Sequence, residues 1–420
     1  MAIPKGWTLE TLSSVVIPDG LQTGPFGSQL KASEYATDGV PVIMPKDMKN
    51  GRVSTASIAR IPEEVAESRL SPHRTQSGDL LFARRGEIGR CALITSQELG
   101  WVCGTGCLRA RPGRKVHPAF LIHQILDAKA TRWLTDMAVG QTMLNLNTQI
   151  LSELPIALPP LPEQKKIAAV LSSVDAAIEK TEAVIAQLQV VKKAMMEQLL
   201  TKGMPGRHTR FKQTELGEIP EEWEVVGLFD VASINPGQVD PRFSEFQDLP
   251  LIAPNHIETG TGKLIAVESA ASQNAISGKY PISVDDVIYC KIRPYLRKAW
   301  LSTINGLCSA DMYPLRCSSR LIPQFLLAVL LSDRFTNFTA TQSGRTGIPK
   351  INREELSLFQ FGLPTKSEQF SIAQHIDATT KSYMAECQTL VNLHSLKSSL
   401  SSSLLSGELR VPTESVPCPV

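Results

Sequence analysis

The chain has 420 residues, a formal net charge of +2 from 43 Lys and Arg against 41 Asp and Glu, and 42% hydrophobic residues. That length argues for two or three domains with packed cores, and the near balance of charge excludes a global field for nucleic acid, so any basic footprint must be local. The 8 cysteines show no Cys-x-x-Cys spacing, which excludes the common zinc pattern and leaves ordinary reduced core cysteines. The opening MAIPKGWTLE has no apolar signal region and no run of about 18 apolar residues occurs, so the sequence reads as soluble and cytoplasmic.

Taken in order, the chain states one theme twice. Near each start stand Pro and Trp at the same spacing, Pro4-Lys5-Gly6-Trp7 and Pro220-Glu221-Glu222-Trp223. Strand-like Val40-Pro41-Val42-Ile43-Met44-Pro45 is answered by Leu249-Pro250-Leu251-Ile252-Ala253-Pro254, each followed by a glycine, Gly51 or Gly260. Gly78-Asp79-Leu80-Leu81-Phe82-Ala83-Arg84 corresponds to Asp285-Asp286-Val287-Ile288-Tyr289-Cys290-Lys291, a turn acid before a β-prone run that ends on a cation. The apolar spacing predicts one amphipathic helix over His117–Asp136 and one over Ile322–Asn337. Polar loops opened by Gly140-Gln141-Thr142 and Gly344-Arg345-Thr346 lead to Asn147 and Asn352, and each half closes on Leu-Pro, at Leu158-Pro159 and Leu363-Pro364.

A long helical pattern follows each closure. The first has apolar or small residues at Ile167, Leu171, Val174, Ile178, Thr181, Ile185 and Leu188, in alternating steps of four and three. Glu163 suits its N-terminal end, and Lys202 with Gly203 gives a basic last turn and a stop. The second has its seam at Ile372, Ile376, Thr379, Tyr383, Leu390, Leu393, Leu400 and Leu404 and stops at Gly407. At 1.5 Å per residue each makes a rod of roughly 60 Å. Rods with such narrow apolar faces most simply pair with one another. The predicted fold class is α/β (α+β): two tandem similar modules separated by two long helices that pair as an antiparallel coiled coil. The predicted divisions are 1–158, a first module; 159–203, a spacer helix; 204–363, a linker and second module; and 364–420, a second spacer helix and tail.

Signatures of catalysis are missing. No phosphate loop, His-Glu-x-x-His or cofactor Gly-x-Gly after a strand occurs, Asn235-Pro236-Gly237 is not an amino-methyltransferase motif, and the 7 histidines give no pair at metal spacing. No catalytic and no metal residue is therefore assigned. Local positive charge is present instead. Arg84, Arg85, Arg90, Arg109, Arg111, Arg114 and Lys115 face only Glu87 and Glu98, and Lys279, Lys291, Arg293, Arg297, Lys298, Arg316 and Arg320 face Asp285, Asp286 and Asp311. Arginine can hold a phosphate or a guanine edge with two hydrogen bonds, so such clusters point to a DNA-facing surface. The loop Gly24–Gln29 can bring amides to phosphate, and Gln141, Asn145 and Asn147, or Arg345, Thr346, Lys350 and Asn352, offer groups that read base edges. The candidate DNA contacts are Ser28, Lys31, Lys46, Arg84, Arg85, Arg90, Arg109, Gln141 and Asn145 in the first half. Those of the second are Asn255, Lys291, Arg293, Arg297, Arg345, Thr346 and Lys350.

Pro159-Pro160-Leu161-Pro162-Glu163-Gln164-Lys165-Lys166-Ile167-Ala168, opening a helix that ends Gln198-Leu199-Leu200-Thr201-Lys202-Gly203, resembles the central conserved region of specificity subunits of type I restriction-modification enzymes. The sequel from Phe211 to Trp223, the ending Leu404-Leu405-Ser406-Gly407-Glu408-Leu409-Arg410-Val411 and the run Gly78–Arg84 are similar to the same family. The resemblance implies that each module is a target recognition domain reading one half of a split double-stranded DNA sequence, with the helices as the spacer. It implies a non-catalytic subunit that docks two adenine methyltransferase subunits, which use S-adenosylmethionine. Restriction subunits that use ATP and Mg for translocation and cleavage join the complex. The second half departs from the pattern: it lacks the Gly before Asp286 and has Pro364-Thr365-Lys366-Ser367-Glu368 in place of Pro159-Pro160-Leu161-Pro162-Glu163. Two other readings stay open at this point, a coiled-coil interaction scaffold without DNA binding and a DNA-modifying enzyme with an unrecognised site.

Overall fold

A computed structural model of the protein describes residues 3–26, 29–139, 145–234, 237–343 and 347–412. The chain divides into two compact units, one of Met1–Thr181 with Thr389–Val420 and the other Glu182–Gln388. Each contains one module and a stretch of both long helices. Among the described residues no helix is long and apolar enough to cross a membrane.

In the first unit the central sheet has the order Val16–Thr23, Cys107–Pro112, Leu80–Ala83, Cys91–Leu93, antiparallel throughout. Leu80-Leu81-Phe82-Ala83 is apolar without alternation because both faces of the sheet are covered. Leu80 and Phe82 pack with Phe120, Leu121 and Ile125 of the helix Pro118–Leu126, while Leu81 and Ala83 pack with Ile43, Met48 and Ile94. A second sheet, Ala59–Ile61, Val40–Ile43 and Val102–Cys103, supplies that other layer, with Val40–Ile43 parallel to Val102–Cys103. The two ends of the module pair with each other, Thr8–Thr11 against Pro155–Leu158.

The second unit repeats this plan. Its central sheet runs Ala232–Ile234, Met312–Cys317, Val287–Cys290, Ala299–Leu301, and its ends pair as Glu224–Gly227 against Gln360–Leu363. Val287 and Tyr289 face the helical core around Phe325 and Phe335, while Ile288 and Cys290 face Ile252, Tyr280 and Ile282.

The single amphipathic helix expected in each module is corrected to two. Pro118–Leu126 is followed by Ala128–Met137, and Pro323–Leu330 by Asp333–Gln342. Asp127 and Ser332 stand extended at the breaks and cap the second helix of each pair, accepting from the amides of Lys129 and Phe335 at 2.9 and 3.2 Å. Likewise Asn147 and Asn352 cap short helices, accepting from Ile150 and Glu355 at 2.8 Å.

The long helices span Leu161–Thr201 and Lys366–Ser406. In the first unit Ile167, Ala168 and Leu171 share a core with Leu404 and Leu405, and Lys397 Nζ meets Asp175 at 2.5 Å. In the second unit Met196 and Leu199 share a core with Ile372 and Ile376, and Gln189 donates to the Tyr383 hydroxyl at 2.9 Å. Residue numbers rise on one helix as they fall on the other, so the pairing within each unit is antiparallel. Ile167, Leu171, Val174, Ile178, Ile372 and Ile376 are buried, whereas Ile185, Leu188, Tyr383, Leu390, Leu393 and Leu400 are half-buried. A two-helix seam alone leaves one side of its apolar residues open, and burial is completed where a module packs over it. The seam also continues beyond Leu188, to Met196 and Leu199.

Gly203 stops the first long helix with φ +75°, and a Cβ there would stand 2.6 Å from Glu368 Oε1 and 2.9 Å from His208 Nε2. Gly206 has the same φ but nothing within 4 Å. Gly203→Ala is therefore expected to cost about 2 kcal/mol or more, and Gly206→Ala only the left-handed backbone term of about 1 kcal/mol. Denaturant midpoints of the two variants check this, and equal losses would remove the steric argument.

His123 in the first unit is buried, with Nε2 3.2 Å from Ser172 Oγ and Nδ1 3.9 Å from Asp175, itself paired to Lys397. Burial pushes its pKa down to about 4, offset in part by Asp175 and reinforced by Lys397. The fold thus favours neutral imidazole. Its contribution is fully present above the unfolded value near 6.5 and is lost as pH falls toward the folded value, about 2 kcal/mol by pH 5. Melting of wild type and His123→Gln at pH 7 and pH 5 tests the sign: wild type should lose more stability on acidification than the variant.

Candidate nucleic-acid interface

Each module is anchored to the start of the helix that follows it by the same two side chains. Trp7 Nε1 donates to Glu163 Oε2 at 3.3 Å, and Trp223 Nε1 to Glu368 Oε2 at 3.2 Å. Gln164 accepts from the His117 amide at 2.7 Å and donates to the carbonyls of Lys115 and Pro159. Gln369 accepts from Ile322 at 2.8 Å and donates to the carbonyls of Arg320 and Pro364. The departure of Pro364–Glu368 from the first copy therefore leaves this joint intact.

The turn acid before the second strand of each central sheet also has one job in both modules. Asp79 receives Arg111 through Nε at 2.7 Å and Nη2 at 2.8 Å, and also the Gln76 amide at 2.8 Å. Asp286 receives Arg316 twice at 2.9 Å and the Ser283 amide at 2.8 Å. Those carboxylates hold both arginines more firmly protonated than usual. The bidentate pair ties the turn to the neighbouring strand and so fixes the strand that delivers Arg84 or Lys291.

These bonds revise the charge count. The expectation that Arg109 faces DNA is corrected: it is 6% exposed, and its guanidinium donates to the carbonyls of Pro72 and Arg74 and to Gln22 Oε1. Burial lowers its pKa. Arg111 and Arg316 are committed to Asp79 and Asp286, and Lys279 is buried and donates to Ser277. Arg90 turns back to Glu87 at 2.5 Å, and Arg297 pairs with Asp333 at 2.5 Å.

The remaining candidates gather at one place in each module. Arg84 Nε donates to Asn145 Oδ1 at 3.2 Å and its guanidinium lies 5.7 Å from the Phe26 ring, while exposed Arg85 bridges Asn145 through the backbone. In the second module Ile292 bridges Lys350 in the same way, the Ile351 amide donates to the Lys291 carbonyl at 3.0 Å, and the Arg293 amide donates to Pro349 at 2.7 Å. Lys291 is 9% exposed, with its ammonium 4.8 Å over the Tyr313 ring, and burial together with Lys350 lowers its pKa. Arg293 and Lys350 are exposed. Both clusters lie at the end of the second sheet strand, against the segment that enters the Asn147- or Asn352-capped helix. Lys31, Lys46 and Asn255 are exposed, Lys46 reaching the Ser57 carbonyl at 3.4 Å. Ser28, Gln141, Arg345 and Thr346 lie outside the described residues. Sequence reasoning missed Arg353, which joins the second cluster by packing on Tyr280 and Tyr313. Its only sequence signal is a place directly after Asn352.

Comparison with known proteins agrees with this two-part plan. The family described as Type I restriction modification DNA specificity domain matches residues 25–190 and again 220–390. The type I restriction enzyme EcoDI specificity subunit of Escherichia coli is 30% identical over 265 residues, covering 58% of this chain and 59% of that subunit. In that match the chain thus spans about three fifths of its relative's length. The putative MjaX specificity subunit of Methanocaldococcus jannaschii is 25% identical over 427 residues, covering 98% of this chain and 95% of that one. Among solved structures, the S subunit of the M. genitalium type I restriction-modification system has a similar fold, with a TM-score of 0.61 at 13% identity over 96% of both chains. A chain from a type I restriction-modification system solved in a study of complex assembly gives a TM-score of 0.52 at 19% identity, over 97% of this chain and all of that one. With both modules matched, the chain belongs to the type I restriction modification DNA specificity family, as two tandem copies of its domain.

Proposed function

We propose that this chain is the DNA specificity subunit of a type I restriction-modification complex, each module reading one half of a bipartite double-stranded target and the paired helices setting the gap between the halves. The observation that carries the reading is the recurrence of a cationic cluster at the same place in two modules of a DNA specificity family, Arg84 and Arg85 beside Asn145 and Lys291 beside Lys350. Phosphate contacts from such cations would position each module, and a few base-edge contacts would choose the sequence. The chain itself would carry no catalysis. Two adenine methyltransferase subunits using S-adenosylmethionine, and restriction subunits using ATP and Mg, would supply the chemistry in the cytoplasm. Specificity subunits among its relatives support this division.

Selection from randomised duplexes by the chain together with its methyltransferase subunit tests the proposal. Enrichment of two short sequences at a fixed gap is the expected result, and no bipartite enrichment would end it. Arg85→Ala and Lys350→Ala should each weaken binding to all sequences alike and reduce the salt slope of log affinity by about 1. Titrations from low to high salt check this, and an unchanged slope would remove both residues from the phosphate contacts.

A further inference from the structure

We propose that Arg353, seated on Tyr280 and Tyr313, reads a guanine edge in the half-sequence bound by the second module, and so is a specificity-determining residue of that module alone. The inference rests on the function proposed above and goes beyond it in naming the residue and the base chemistry.

Arg353 is the first residue of the short helix Arg353–Ser357, whose N-cap is Asn352. Its guanidinium carbon lies 6.0 Å from the Tyr280 ring and 5.7 Å from the Tyr313 ring, and Nη2 donates to the Tyr280 hydroxyl at 3.2 Å. Both tyrosines are buried, at 8% and 4% exposure, while Arg353 itself is exposed. The guanidinium is therefore held on a rigid floor, hydrogen-bonded to both tyrosines, while the side chain stays open to a ligand. Among the described residues Arg353 forms no ion pair, unlike Arg111, Arg316, Arg297 and Arg90. It stands close enough to Lys291, with Lys350, to disfavour the charge of that ammonium. The repulsion among these cations is offset only in part by Asp311 beside Lys291, and an acceptor-rich ligand would relieve it further.

Phosphate and guanine both present such acceptors. Phosphate needs charge more than orientation, which Lys291 and Lys350 already offer. A guanidinium whose plane is set by two rings suits the fixed pair of acceptors on a guanine, O6 and N7. The first module lacks the device. The strand register sets Tyr289 opposite Tyr313 as it sets Phe82 opposite Leu108, so Leu108 stands where Tyr313 would be, and Thr148 follows Asn147 where Arg353 follows Asn352. Different side chains on one shared frame are what two modules need in order to choose different half-sequences.

The full chain with its methyltransferase subunit is subjected to duplex selection as wild type, Arg353→Lys, Arg353→Ala and Tyr280→Phe. Both arginine variants are expected to lose a guanine preference at one position of one half-sequence. Their affinity for the wild-type target should fall roughly 5- to 100-fold, with little change on unrelated duplex. Tyr280→Phe retains the ring and should weaken the same preference less. The other half-sequence is the internal reference and should not change. Weakening that is uniform over sequences, with a lower salt slope for Arg353→Ala and near recovery in Arg353→Lys, would assign Arg353 to a phosphate and overturn the proposal. So would unaltered preferences, or loss of the entire half-sequence in all three variants, which marks a structural role. Failure of wild type to enrich any bipartite target would instead overturn the function on which the inference rests.

Discussion

Arg410→Ala is expected to lower the denaturant midpoint of the unit that contains it, because it leaves a buried carboxylate without its cation. The Glu163 carboxylate is 2% exposed. Arg410 donates to both of its oxygens, at 2.7 and 2.9 Å, and lies 5.9 Å from the Trp7 ring. Without that cation the buried charge would retain the Trp7 indole, a single neutral donor. The loss falls below that of a wholly buried pair because the arginine side chain is 45% exposed, which lets water reach the site. Glu163→Gln in the Arg410→Ala background removes the orphaned charge and should recover part of the loss. The equivalent change in the second unit should matter less. Glu368 already has His208 Nε2 at 2.8 Å, the Met204 amide at 3.2 Å and Trp223 at 3.2 Å, with Arg207 only at 3.7 Å. Chemical denaturation of Arg410→Ala and Arg207→Ala side by side checks the contrast. An Arg410→Ala protein as stable as wild type would show that solvent already compensates Glu163.

The repeated landmarks were legible in the sequence because each makes the same bond in both copies. Trp7 and Trp223, Asp79 and Asp286, Glu163 and Glu368 recur at matching spacing since each must reach the same partner in the same fold. The strand Leu80–Ala83 and the long helices were legible for a local reason, a continuous apolar run in one case and a sustained helical period in the other. What stayed hidden depends on residues distant in the chain. Arg109 looks like surface charge until Gln22 and the carbonyls of Pro72 and Arg74 close around it. The breaks at Asp127 and Ser332 are capping events inside an apolar pattern that remains helical on both sides. Arg353 carries no signal beyond its place after Asn352, because its two tyrosines come from strands distant in the chain. Charge counting therefore pointed to strand ends where cations gather, but it could not separate cations bonded inside the protein from the rest.

Asp79→Ala and Asp286→Ala are expected to have the largest effects, each on one module only. Both carboxylates are 1% exposed, and each fixes a strand by receiving a bidentate arginine and a backbone amide. Removal leaves a guanidinium and an amide without their acceptor, at a cost of about 3–4 kcal/mol for Asp79, where Arg111 is 19% exposed. The cost should be about 2 kcal/mol for Asp286, because Arg316 is 48% exposed and can turn to solvent. Converting the first pair to Asp79→Asn with Arg111→Gln restores matched neutral partners and should recover much of the loss, which separates the charge from the packing. A functional consequence follows from the strands themselves. Leu80–Ala83 ends beside Arg84 and Val287–Cys290 beside Lys291, so loosening either strand displaces the cations proposed to meet DNA. Asp79→Ala should therefore erase selectivity for one half-sequence and Asp286→Ala for the other, each leaving its counterpart readable at temperatures where the chain stays folded. Duplex selection with the two variants, beside melting curves, tests this directly. Loss of both half-sequences from either single change would contradict independent modules, and retention of both would show that the strand ends do not position the DNA contacts.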